Sequence, residues 1–109
     1  MSYIYLASPY TDPDPLIREL RYYQALRATA DLLKAKQYVY SPIVHCHEVA
    51  KRHSLPMHFD FWQNYNFAML RAASSFAILQ ADGWKDSVGV LAESNEAIRL
   101  NLVRFYIPV

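Results

Sequence analysis

Short apolar runs alternate with segments of helical period along this chain. That alternation limits the folds open to it more than any other feature. Tyr3-Ile4-Tyr5-Leu6-Ala7, Tyr38-Val39-Tyr40, Phe76-Ala77-Ile78-Leu79-Gln80 and Val103-Arg104-Phe105-Tyr106-Ile107 are rich in β-branched and aromatic residues, which predicts strands. After the first strand, Ser8 to Pro15 holds three prolines and reads as a loop. Asp14-Pro15 then supplies an N-cap and an N1 proline, predicting a helix to about Lys36. Leu16, Leu20, Tyr23, Leu26 or Arg27, Ala30 and Leu33 recur at helical spacing and read as its buried stripe. Phe59 to Ala73 and Ser87 to Leu100 read as two further helices, the last ended by Asn101 in the left-handed conformation. Ile43 to Met57 has no clear period; Glu48 to His53 is expected to form a short helix there.

Strands that alternate with helices form a parallel sheet with helices on both faces. The expected fold is therefore α/β, a three-layer flavodoxin/Rossmann-like sandwich with a small sheet of about four or five strands, one domain over residues 1–109. In the flavodoxin-like order the first and third strands are neighbours at a topological switch point, and ligands bind at the carboxyl ends of the strands there. Those ends carry Ser8-Pro9-Tyr10 and the stretch from Asp82 to Glu93.

The stretch Gly83-Trp84-Lys85-Asp86-Ser87-Val88-Gly89-Val90-Leu91-Ala92-Glu93 holds both of the chain's glycines. Gly83 suits a turn with positive φ, and Gly89 allows a close approach of backbone. Ser87 is a good N-cap, so the N–H groups of residues 89 and 90 should point into the loop and favour an anion. Glu93 lies within the first two turns of the following helix and can face back towards that place. The plainer reading is an ordinary strand–helix connection with a solvated carboxylate stabilised by the helix dipole.

Other features narrow the function. Apolar residues make up 53% and charged residues 19%, a globular profile, and no run reaches the roughly 18 apolar residues of a membrane span. No signal peptide is expected from Met1-Ser2-Tyr3-Ile4-Tyr5, and the single Cys46 fits a reducing, cytoplasmic setting. A net charge of +1 without a basic tract argues against a nucleic-acid polymer as partner. His45, Cys46, His47, His53 and His58 match no tetrahedral metal pattern, so neither a metal nor any other cofactor is expected. His45 and His47 instead line a pocket or cap a turn. Arg18 and Arg21, one turn apart, either reach a phosphate or form a solvated face paired with Asp14 or Glu19. Cys46 reads as a buried, inert thiol. The aromatics of 59–73 go all the way round that helix, which suggests burial against the core and against a second subunit.

Tyr5-Leu6-Ala7-Ser8-Pro9-Tyr10, Tyr40-Ser41-Pro42-Ile43-Val44-His45, Trp62 with Met69-Leu70, and Gly83-Trp84 with Asp86-Ser87, Gly89 and Glu93 together resemble the nucleoside 2-deoxyribosyltransferase-like superfamily. Similarity is greatest to a small bacterial and phage branch of it, a domain of unknown function, and covers nearly the whole chain. The resemblance implies cleavage of an N-glycosidic bond in a nucleoside or nucleoside 5′-monophosphate. Glu93 attacks the anomeric carbon, the base leaves, and water or a second base resolves the glycosyl-enzyme. The helix N-terminus is expected to keep Glu93 ionised. Tyr5 and Tyr10 take the place of residues that orient the nucleophile or the sugar, Ser87 and Gly89 bind a 5′-phosphate, and Trp84 and Tyr10 stack on the base. Ser8, Pro9, His45 and Asp86 complete the expected substrate wall. Where relatives carry a carboxylate after a Trp, this chain has Asn66. An amide cannot supply a proton, and Asp60 or Asp82 is the expected substitute. Relatives assemble as homodimers or homotetramers. Three functions follow: a glycosidase or transferase, a nucleotide-binding module without catalysis, or an interaction protein using helix 59–73.

Overall fold

The computed structural model describes residues 2–109. Four strands, β1 (Ile4–Ala7), β2 (Val39–Tyr40), β3 (Ser75–Gln80) and β4 (Val103–Pro108), form one sheet in the order β2-β1-β3-β4. Every pairing is parallel, with Ile4 opposite Val39 and Ser75, and Ala7 opposite Ile78. The helices among the described residues are α1 (Pro15–Lys34), α2 (Pro42–Arg52), α3 (Phe59–Arg71) and α4 (Val88–Arg99), with a 3₁₀ turn at Trp84–Asp86. The α/β sandwich and the adjacency of the first and third strands are as expected from the alternation.

β1 is buried at every position, as a central parallel strand should be when helices cover both faces of the sheet. Its side chains divide by the two-residue period of the strand. Tyr5 and Ala7 join Phe76 and Ile78 beneath Leu70 of α3 and Val90 and Ala97 of α4. Ile4 and Leu6 join Ala77 and Leu79 beneath Ala28 and Leu32 of α1. Side-chain caps start three of the helices: Asp14 accepts from the Leu16 N–H, Ser41 from Val44 and Ser87 from Val90. Gly83 sits at φ 90° and Asn101 at φ 58°, both left-handed as the turns require. No helix among the described residues is long and apolar enough to cross a membrane.

Two expectations are corrected. α2 begins at Pro42, not Glu48, because Ser41-Pro42 is itself a cap and N1 pair. The stripe read along the first helix faces outward: Leu16, Leu20, Tyr23 and Leu33 are 76%, 53%, 63% and 52% exposed. The buried face is on the other side of the helix, at Ala25 and Ala28, with Leu32 packed beside Ala28 against the sheet. Small residues let the helix lie close to the strands, but they contribute little apolar signal, so the larger outward residues dominated the pattern. Ala25→Leu is therefore expected to overpack this contact and cost about 1–3 kcal/mol. Leu20→Ser should stay within about 0.5 kcal/mol. Urea unfolding of both variants checks the assignment, and the opposite ranking would mean that the larger residues form the buried face.

Candidate active site

At the carboxyl end of the sheet, where β1 and β3 separate their connections to opposite faces, the chain forms an open-mouthed cavity of about 630 Å³. That is within the range of about 300–1,000 Å³ usual for small-molecule sites. The loop after β1 contributes Ser8, Tyr10, Thr11 and Asp12, and α2 contributes Ile43, Cys46 and His47. Phe59, Asp60, Trp62 and Asn66 come from α3, and Gly83, Asp86, Ser87, Gly89 and Glu93 from the stretch singled out in the sequence.

Glu93 is only 4% exposed, which removes the reading of a solvated first-turn carboxylate. Its Oε2 accepts from the Tyr5 hydroxyl at 2.8 Å and from the Asn66 amide at 3.2 Å. Tyr5 reaches it from the central strand, fixed by stacking against Phe76. Asn66 reaches it from α3, and no side chain among the described residues donates to Oε1. Burial pushes the Glu93 carboxyl up to about 7 from its ordinary 4.5, against the pull of the Tyr5 and Asn66 hydrogen bonds. The expectation that the helix N-terminus holds it ionised is overturned. Glu93 is in the second turn, beyond the terminus where the dipole acts most strongly, and desolvation outweighs two donors.

The start of α4 also differs from expectation in one donor. The Val90 N–H is taken by the Ser87 side chain at 3.2 Å and does not point freely into the loop. Gly89 lies in tight quarters: a Cβ there would be 3.2 Å from the Phe59 ring. Ser8 Oγ and Asn66 Oδ1 are buried without a hydrogen-bond partner in residues that line the cavity.

Four expected site residues lie elsewhere. Trp84 packs on the core and against Tyr106, with centroids 5.5 Å apart, so it presents no stacking face to the cavity. His45 is exposed on α2 between Tyr40 and Tyr65; the helix places His45 and His47 on different sides, and only His47 lines the cavity. Asp82 is exposed and engages only through its carbonyl, which accepts from Arg21, so it is no substitute acid here. Asp60 does line the cavity. Pro9 is buried beneath the loop without lining the cavity. Arg18 and Arg21 are half-buried, not a solvated face, and Arg21 lines the cavity. Arg18 donates to the Asp12 carbonyl, and Arg21 to those of Thr11 and Asp82, tying both cavity loops to α1. Cys46 is half-buried, and burial raises its thiol, which leaves it unactivated.

Sequence reading missed one group in the cavity wall. Tyr10 Oη lies 2.6 Å from His47 Nδ1, and His47 Nε2 lies 2.7 Å from Glu19 Oε2. Lys51 donates to the other Glu19 oxygen at 2.6 Å, and the Tyr22 ring stacks on His47 with centroids 4.1 Å apart. Glu19 and His47 are on different helices, so no local spacing signals the pair; only the packing of α1 on α2 creates it.

Residues 2–106 match the protein family described as a domain of unknown function (DUF1937), and the chain belongs to that family. No curated protein in the comparison matches the chain.

The burial of Glu93 carries a signed consequence for stability. The unfolded chain releases this proton near 4.5 and the folded chain near 7, so between these values folding must take up a proton. Stability from this group therefore falls as pH rises through that window and levels off above it. Glu93→Gln removes the slope. It should match wild type near the lower end and gain up to about 3 kcal/mol above the upper end. Denaturant unfolding of both proteins across the window measures the difference; parallel pH curves would mean that Glu93 is not desolvated.

Proposed function

We propose that this chain is an N-glycosidase or deoxyribosyltransferase of the nucleoside 2-deoxyribosyltransferase-like superfamily, acting on a nucleoside or nucleoside 5′-monophosphate through Glu93. The observation that carries the proposal is the geometry of that carboxylate. One oxygen is fixed by Tyr5 and Asn66, the other receives no side-chain donor among the described residues, and the group lines a cavity with room for a small molecule. A carboxylate held this way can attack an anomeric carbon and leave again when water or a second base arrives. As positive charge develops on the sugar it favours the ionised form of Glu93, opposing the burial that raises its pKa. The free Asn66 Oδ1 can accept a sugar hydroxyl, and Ser8 Oγ and the start of α4 offer donors to a further hydroxyl or a 5′-phosphate.

The second reading is a nucleotide-binding module of the same fold without turnover. It is favoured by Asn66 itself, whose amide donates to Glu93 and cannot protonate a leaving base. We also infer a cytoplasmic homodimer or homotetramer. This reading puts Phe61 and Tyr65 on α3, 48% and 39% exposed, at the interface, and a single cysteine suits a reducing compartment. Sedimentation of Phe61→Asp should then show a smaller species than wild type, and an unchanged species would remove α3 from the interface.

The test is base release from a panel of nucleosides and 5′-monophosphates, ribo and deoxy, followed by chromatography. Wild type should release free base, and Glu93→Ala should lower that rate by on the order of 10⁴-fold or more while retaining its fold. Binding of a nucleotide without release by wild type would support the module, and equal release by the variant would remove Glu93 from the chemistry.

A further inference from the structure

Departure of a base from a sugar leaves an electron pair on the base nitrogen, which a proton must meet if the base is a poor leaving group. Near Glu93, Asn66 cannot supply one and Asp82 does not line the cavity, while Asp60 lines it as an exposed carboxylate that no hydrogen bond among the described residues orients. The group formed by Tyr10, His47 and Glu19 is a hydrogen-bonded proton donor in the wall of the cavity. Resting on the glycosidase reading above, we propose that Tyr10 is the catalytic acid that protonates the leaving base, recharged through His47, with Glu19 as the positioning residue behind it.

Hydrogen bonding defines the direction of the chain. Glu19 accepts at Oε2 from His47 Nε2–H, which fixes the tautomer, so in the neutral ring Nδ1 accepts from the Tyr10 hydroxyl. When the ring gains a proton at Nδ1, it becomes the donor and the Tyr10 oxygen the acceptor. The phenol hydrogen is then released to point elsewhere, and both Tyr10 and His47 line the cavity. Tyr22 stacked on one face and the Glu19 carboxylate at one edge hold the ring, which is 5% exposed. Lys51 in turn holds Glu19, whose carboxyl it keeps below the ordinary range, so Glu19 remains an acceptor. Arg18 and Glu48 are the other charged groups near Tyr10, and burial raises its phenol, keeping the proton in place until a base is there to take it.

The balance of the step is simple. Glu93 forms a bond to the anomeric carbon as the carbon–nitrogen bond breaks, and the bonding pair goes to the base. The base nitrogen takes the Tyr10 proton, and Tyr10 takes the Nδ1 proton of doubly protonated His47. Neutral His47 stays bonded to Glu19 and regains its proton from solvent. No other reactant is consumed. None of this needs Asn66 to act as an acid, so its amide is compatible with turnover.

Tyr10→Phe and His47→Gln test the assignment on two substrates. One is the natural nucleoside or nucleotide that wild type cleaves best. The other is the 4-nitrophenyl glycoside of the same sugar, whose phenolate leaves without a proton. Each variant should slow release of the natural base by about 10²- to 10⁴-fold and leave nitrophenolate release within a few-fold of wild type. Glu19→Gln should fall between, and Glu93→Ala should abolish both. Tyr10→Phe keeps the ring and its packing, so it remains informative if His47→Gln unfolds. Equal losses on the two substrates would mean a structural role and overturn the assignment, as would natural-base release near the wild-type rate in Tyr10→Phe. No release of any base by wild type would overturn the glycosidase reading and the relay together, whereas release that ignores Tyr10 and His47 would overturn the relay alone.

Discussion

The contact between Tyr5 and Glu93 depends on nearly everything else in this fold. It joins a hydroxyl on the central strand to a carboxylate on the last helix, 88 positions apart in sequence. The two can meet only because β1 pairs with β3, and α4 follows β3 through a short connection. Tyr5 has no freedom to adapt, being fully buried and stacked on Phe76. The strand therefore presents its hydroxyl rigidly, and the helix must bring the carboxylate to it. Gly83 makes that possible by turning the chain at positive φ, and Gly89 by letting α4 pass close to Phe59.

A buried carboxylate is costly unless its charge is matched. Here two neutral donors share one oxygen, and the balance falls on the side of desolvation, leaving the group poised to gain or lose a proton near neutrality. A fold optimised only for stability would replace Glu93 with an apolar side chain of similar size. Retaining it against this cost is what sites of chemistry do, and perturbed ionisable groups in clefts are accordingly a physical pointer to function. Of the four buried side-chain oxygens without a partner among the described residues, two, on Ser8 and Asn66, belong to residues that line the same cavity.

Much of this was legible in the residues. Strands made of β-branched and aromatic runs, caps at Asp14 and Ser87, and the left-handed Asn101 all follow local rules, and local rules read well from sequence. The meeting of Ser8, Tyr10 and the Gly83–Glu93 stretch at one cavity followed from the strand order alone. Resemblance, not spacing, brought Tyr5 and Asn66 to Glu93. What failed was direction. Leu16 and Leu20 have the right period and face outward, because the buried face of α1 is made largely of alanines that carry little apolar signal. Trp84 is adjacent to the site in sequence but turns to Tyr106 instead, a choice made by a 3₁₀ turn that no pattern announces. Glu19 and His47 were invisible as a pair, since their contact exists only once two helices have packed.

The cavity is thus assembled from two walls of different construction. The Glu93 wall rests on the buried strands β1 and β3 and on helices packed directly upon them. The Tyr10 wall rests on a proline-rich loop, held to α1 by Arg18 and Arg21 through backbone carbonyls, and on α2, held to α1 through Glu19. Rigid support suits a nucleophile, whose line of attack tolerates little error. A loop fixed by side-chain hydrogen bonds gives more easily, which suits a group that must admit a substrate before it can donate to it. Since Arg21 also donates to the Asp82 carbonyl, the same guanidinium spans both loops at the rim. The Tyr10 loop and the turn before α4 are therefore tied to each other through one side chain, and α1 acts as the clamp that holds the two walls in register.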